Sequence, residues 1–228
     1  HRALPWTLSL LSFTTILGWL IGNLLGGIAG YFREQRWARI LEAFATTVYP
    51  IPYYIMALIL IILLSYIIPL FPAFGTPPVT PSLSLQFIAT YLYHSFLPAL
   101  SLLMVNYGWW FLSMRSLVTR VIGEDYVIFA RISGIPGRRI MWRYVIRNSL
   151  LPQVTGLSMA LAGIFNGALI TEVVFSYPGI GWVLYNAITN GDFNLMMGIV
   201  VYSIVAVATA ALLLDLLYPL IDPRIRYR

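Results

Sequence analysis

The sequence predicts an all-α, polytopic membrane helix bundle, and three observations lead there. First, 60% of the 228 residues are apolar and only 10% are charged, too little polar surface to wrap a water-soluble domain of this size. Second, five apolar runs, Thr7 to Gly30, Ala45 to Ile68, Phe96 to Met114, Leu151 to Phe175 and Leu195 to Leu217, are each long enough to cross a hydrocarbon core about 30 Å thick, which takes about 20 helical residues. Lipid offers the backbone no hydrogen-bond partners, so each run is expected to be helical, and none shows the alternation of a β-barrel strand. Third, the basic residues are unevenly placed. All fourteen are arginine, and all but Arg2 fall in alternate loops or the C-terminal tail.

That placement sets the orientation. Arg33, Arg36 and Arg39 follow the first run, Arg115 to Arg147 follow the third, and Arg224, Arg226 and Arg228 follow the fifth, while Pro69 to Ser95 and Ser176 to Asn194 carry no lysine or arginine. Under the positive-inside rule the arginine loops and the C-terminus are cytoplasmic and the N-terminus is outside. The net charge of +6 is therefore a topology signal and calls for no nucleic acid. An outside N-terminus without a signal sequence to carry it leads to the expectation that a sixth, N-terminal span precedes His1. Cysteine is absent, which excludes disulfides and thiolate sites. His1 and His94 are too few and too far apart in sequence to suggest a metal cluster.

In chain order, the first run carries Gly18, Gly22, Gly26 and Gly30, a stripe of small residues that suits close helix packing, with a moving interface as the sharper alternative. The second begins with Tyr49-Pro50-Ile51-Pro52, which should kink or delay the helix. Prolines and Gly75 then make an irregular external loop. The third run holds Asn106 beside Trp109 and Trp110, and the fourth holds Asn166, Gly167 and Glu172. Polar groups at such depth are costly unless they pair or face water. Asn106, Asn166 and Glu172 are therefore candidates for a translocation path; glue between helices is the alternative for the asparagines, and wetting at the outer surface for Glu172. After Phe175 comes Ser176-Tyr177-Pro178-Gly179-Ile180-Gly181, a turn that re-aims the chain, followed by an apolar piece from Trp182 to Ile188 that could re-enter the membrane or meet a partner.

The most informative segment is the arginine-rich loop at 115–149, expected to be two short helices around a fixed corner. Glu124 and Asp125 stand where acids favour a helix start, and Tyr126, Phe129, Ala130 and Ser133 share a face at i, i+3, i+4 and i+7. Gly134 suits a left-handed stop. Pro136 prevents continuation, and Gly137 frees the backbone before a second basic helix, from Arg138 to about Asn148.

The run Glu124-Asp125-Tyr126-Val127 through Ala130-Arg131 and Gly134, with Arg147-Asn148-Ser149-Leu150-Leu151-Pro152, resembles the cytoplasmic coupling loop of ABC importer permeases, and more narrowly that of the dipeptide/oligopeptide permease family. Leu97-Pro98-Ala99-Leu100, Glu172 with the Pro178-Gly179-Ile180-Gly181 turn, and Asp222-Pro223-Arg224 in the tail extend the resemblance over nearly the whole chain. It implies a single permease domain over 1–228 in a prokaryotic plasma (inner) membrane. The implied partners are a second homologous permease, two ATPase subunits and an extracytoplasmic solute-binding protein. The ATPase-coupling residues would be Glu124, Asp125, Tyr126, Ala130, Arg131, Gly134, Ile135 and Arg138. Tyr177, Pro178, Gly179, Gly181 and Trp182, in the external loop at 176–194, would meet the binding protein. Departures include Ile128, Phe129, Ile132 and Ser133 in the coupling loop, and Trp182 and Gly191 where the family commonly has arginine. The aromatic mouth suits oligosaccharides as well as oligopeptides.

No ATP chemistry is expected on this chain, because a Walker-type clamp needs a lysine and there is none; ATP and magnesium belong to the ATPase subunits, and no cofactor is expected here. An ion-coupled secondary transporter or a channel subunit is the alternative, but mid-membrane coupling carboxylates and inverted repeats are not evident. An intramembrane hydrolase would need a nucleophile paired with a base, and the sequence shows none.

Overall fold

The computed structural model describes residues 3–77 and 84–221. The expectations for His1, for Asp222 to Tyr227 and for the C-terminal arginines lie outside the described residues, as does the side chain of Asn166. Every regular element among the described residues is helical.

Among the described residues three helices are long and apolar enough to cross a membrane: α1 (Leu4–Tyr31), α4 (Leu85–Val121) and the stretch Phe193–Leu213 of α10 (Phe193–Ile221). A fourth appears if α2 (Arg36–Val48) and the stretch Tyr53–Ile67 are taken as one broken span. That stretch comprises α3 (Tyr53–Ile61) and a π-helical continuation, Ile62–Ile67. The break falls on Tyr49-Pro50-Ile51-Pro52, where Pro52 takes an extended backbone and becomes the N-cap of α3. It follows from the missing donor and fixed φ of proline.

The run Leu151 to Phe175, expected as one span, is not one helix. It lies on α7 (Arg147–Gly163), a 3₁₀ turn (Ile164–Asn166) and α8 (Leu169–Val174). Gly167, at φ +75°, takes a left-handed conformation that no α-helix continues through. The count of five spans is not confirmed: among the described residues three helices, or four with the broken pair, are long and apolar enough. The second basic helix of the loop also departs from expectation. It starts at α6 (Gly137–Arg139), passes through a π-helical stretch (Ile140–Ile146) and runs on into α7, so it does not end near Asn148. Pro152 costs one donor inside α7 without stopping it.

The chain divides into two compact units. One comprises Ile16–Ile51 and Met104–Ser158. Within it the glycine stripe of α1 lies against α4: a Cβ at Gly22 would come within 2.5 Å of Trp110 Cβ, one at Gly26 would overlap the Phe111 carbonyl, and one at Gly30 would come within 2.9 Å of Val118. The backbones meet there because nothing projects between them. A second buried cluster joins Met114 and Val118 of α4 to Val127 and Ala130 of α5 (Asp125–Ile132) and to Ile140, Met141, Val145 and Ile146. The other unit comprises His1–Thr15, Pro52–Leu103 and Met159–Arg228. Its interior holds Leu97, Phe175, Tyr177 and Glu172, and it contains α8, α9 (Ile180–Thr189) and α10.

Candidate functional site

In the first of these units the arginine-rich loop forms a capped corner. Glu124 is the N-cap of α5 through its backbone, its carbonyl accepting from the amides of Val127 at 2.9 Å and Ile128 at 3.1 Å. Asp125 occupies the first turn and Arg131 the last, charges that oppose the helix dipole at each end. At the other end the Ile135 amide donates to the Ala130 carbonyl and the Gly134 amide to the Arg131 carbonyl. These are the two bonds of a Schellman stop. Gly134 sits at φ +74° with open space where a Cβ would be, so its need for glycine is conformational. Pro136 then caps α6, accepting from Arg139 and Ile140.

Val127 and Ala130 turn inward, and beside the exposed Asp125 and Arg131 two large apolar side chains are left outside: Phe129 is 72% and Ile132 79% exposed. Tyr126, Phe129, Ala130 and Ser133 do share a face, lining an open groove with Asp125, Ile135 and Tyr144. Asn148 donates from Nδ2 to Tyr126 Oη at 3.2 Å and to the Tyr144 carbonyl at 2.7 Å, which fixes one wall of that groove. Arg138 is exposed beyond it.

In the other unit Glu172 is fully buried and acts as a cap for a neighbouring helix. Its Oε2 accepts from the Gly181 amide at 2.7 Å and the Trp182 amide at 3.2 Å, and its Oε1 accepts from the Thr7 hydroxyl at 2.8 Å. Thr7 Oγ1 in turn accepts from the Ile180 amide at 2.8 Å. The first three amides of α9, which have no acceptor inside the helix, are thus all satisfied, with the carboxyl group at the positive end of the dipole. Both glycines of the turn make room for that carboxylate. A Cβ at Gly179 would overlap it, and one at Gly181 would come within 2.5 Å of Leu169 Cα.

Tyr177 is also buried, with its hydroxyl 3.3 Å from Tyr91 Oη and 3.4 Å from the Trp6 carbonyl, and burial pushes its phenol well above the usual range. The structure therefore places Tyr177, Gly179 and Gly181 in the interior, and Pro178 and Trp182 partly at the surface. Asn106 is half-buried opposite Gly18, 3.5 Å from the position of a Cβ there, and Asn166 ends the 3₁₀ turn before Gly167. Sequence reasoning missed Thr7, because a lone threonine in an apolar run carries no signal. Among the described residues no three His, Asp or Glu side chains gather to hold a metal ion.

Among the described residues, an all-helical architecture with several membrane-length apolar helices is that of a multi-pass membrane domain. Residues 22–227 match the family described as binding-protein-dependent transport system inner membrane component, and the chain belongs to that family. It is 33% identical over 237 residues to the probable D,D-dipeptide transport system permease protein DdpB of Escherichia coli (strain K12), covering 97% of this chain and 70% of that protein. It is 29% identical over 227 residues to the oligopeptide transport system permease protein AppB of Bacillus subtilis (strain 168), covering 98% and 70%. Over 135 residues it is 34% identical to the dipeptide transport system permease protein DppB of Escherichia coli (strain K12), covering 59% and 40%.

Proposed function

We propose that this chain is a permease subunit of an ATP-driven importer of peptides. It pairs with a second homologous permease and receives solute from an extracytoplasmic binding protein, and two ATPase subunits move it by docking on α5 and its counterpart. ATP and magnesium act on those subunits. The observation that carries the reading is the α5 corner: a short helix capped at both ends, held from inside by Val127 and Ala130, and presenting Phe129 and Ile132 to the outside. Exposed apolar groups on a rigid charged loop are what a partner surface covers. The relatives named as dipeptide and oligopeptide permeases support peptides as the substrate class. The ring stack of Trp182 and Tyr185, with centroids 6.1 Å apart, is what favours an oligosaccharide as a second reading.

In this reading Glu124, Asp125, Tyr126, Ala130, Arg131, Gly134, Ile135 and Arg138 form or support the docking face. Pro178 and Trp182 are the residues of the external turn that a binding protein reaches first. Glu172 serves the path indirectly, by holding α9. Closing of the ATPases shifts the permease between inward- and outward-open states, which they drive by binding one state better than the other.

The test uses the assembled transporter in proteoliposomes. Gly134→Arg is expected to insert into the membrane but lose ATPase subunits on purification and lose uptake, whereas Gly134→Asn, which tolerates the left-handed backbone, retains both. Normal uptake by the arginine variant would refute docking at this corner. Titrating the purified binding protein with dipeptides, oligopeptides and oligosaccharides separates the two substrate readings.

A further inference from the structure

We infer that Arg115 and Glu42 form a strut that carries movement of α5 into α2, an inference that rests on the proposed docking of an ATPase at α5. The path is contiguous and lies within one unit. Val127 and Ala130 of α5 are buried in the same cluster as Met114 and Val118 of α4, so α4 moves with α5. Arg115 follows Met114 on α4, and its Nη2 lies 2.6 Å from Glu42 Oε2 on α2.

Three features set this pair apart. Its side chains are only 21% and 34% exposed, so water screens it less than a surface pair. It joins two helices far apart in sequence, whereas the other ion pairs among the described residues tie Glu34 to Arg33 and Arg39 nearby. It also adds a directional bond to the apolar packing between the same helices, where Ala38 and Ala45 share a buried cluster with Tyr107 and Phe111 and the Phe44 ring lies 6.3 Å from that of Tyr107. A Cβ at Gly108 would lie 2.8 Å from Tyr49 Cβ and 3.1 Å from the Ala45 carbonyl, a close approach of α2 to α4 about two turns from the ion pair. Apolar packing is non-directional, while a charge-assisted bond at this distance has one favoured geometry. The Arg115 Nε is buried with no partner among the described residues. Loss of Glu42 would therefore leave a half-buried cation uncompensated, so α2 and α4 stay coupled while the carboxylate is present.

The experiment compares wild type with Glu42→Gln, Arg115→Gln and the swap E42R/R115E, each assembled with its ATPase subunits in proteoliposomes. Co-purification of ATPase subunits, hydrolysis stimulated by the binding protein, and uptake per ATP are read separately. The single variants are expected to keep the ATPase subunits and hydrolysis while uptake per ATP falls at least fivefold, and the swap to recover at least half of the loss. A Glu42→Gln transporter whose uptake per ATP stays within twofold of wild type overturns the strut and leaves the docking reading standing. Should the single variants not accumulate in the membrane, the swap decides: accumulation with recovered uptake supports the strut, and a swap no better than either single variant overturns it. Wild type that carries no ATPase subunits overturns the docking reading and the strut with it.

Discussion

Glu172 shows how far a residue's role depends on what surrounds it. A lone carboxylate in an apolar run reads as a transport residue, yet its two oxygens are occupied by Thr7 and by two amides of α9. Hydrogen bonds to a charged group contribute roughly 1.5–3 kcal/mol each, and a buried donor left unmade costs about as much. Thr7→Val removes the donor to Glu172 and the acceptor for Ile180 together. It is expected to lower stability by about 2 kcal/mol, read as a lower midpoint of thermal inactivation in detergent. Two glycines near this site and in the corner make a second contrast. Gly181→Ala places a methyl against the backbone of Leu169, and overpacking of this kind costs about 1–3 kcal/mol. Gly134→Ala meets open space and bears only the left-handed strain, about 1 kcal/mol. Thermal inactivation should rank Gly181→Ala as the more damaging.

Among the elements, α1 and α10 are both glycine-bearing apolar helices with opposite surroundings. On α1 the positions Gly22, Gly26 and Gly30 are filled from the other side by α4, which supports close packing as their role. On α10 nothing lies within 4 Å of a Cβ at Gly198. Gly26→Ala should therefore reduce the yield of folded, monodisperse protein. Gly198→Ala should leave it unchanged or add up to about 1 kcal/mol of stability through helix propensity. Size-exclusion profiles after mild heating distinguish the two. The α5 corner was legible because its signals are local: acids at the start, glycine at the stop, proline beyond it. The continuous helix after the corner was not legible, because a π-helical stretch such as Ile140–Ile146 leaves no sequence signature comparable to a cap.

For the whole molecule, family membership and the apolar helices establish a multi-pass membrane protein, while its sidedness is an expectation from the arginines. The absence of cysteine makes that testable. In intact cells Asn190→Cys should react with an impermeant maleimide and Arg36→Cys should not, both positions being exposed in the structure. Reversed labelling would place α5 outside and remove it from reach of an ATPase.

Composition, run length and charge placement were enough for the class, since the cost of an unpaired backbone in lipid leaves a long apolar chain little choice but helix. Local chemistry was enough for the Schellman corner at Gly134, since its two bonds span only residues 130 to 135. Only the tertiary structure decided what Glu172, Gly179, Gly181 and the stripe on α1 are for. Thr7 lies 165 residues from Glu172 in the chain, and the wall that makes a Cβ impossible at Gly22 belongs to Trp110. Partners at such separation are set by packing, which no residue's own neighbours in sequence encode. The same reason hid the break at Gly167 within the fourth run, where hydropathy stays high while the backbone turns.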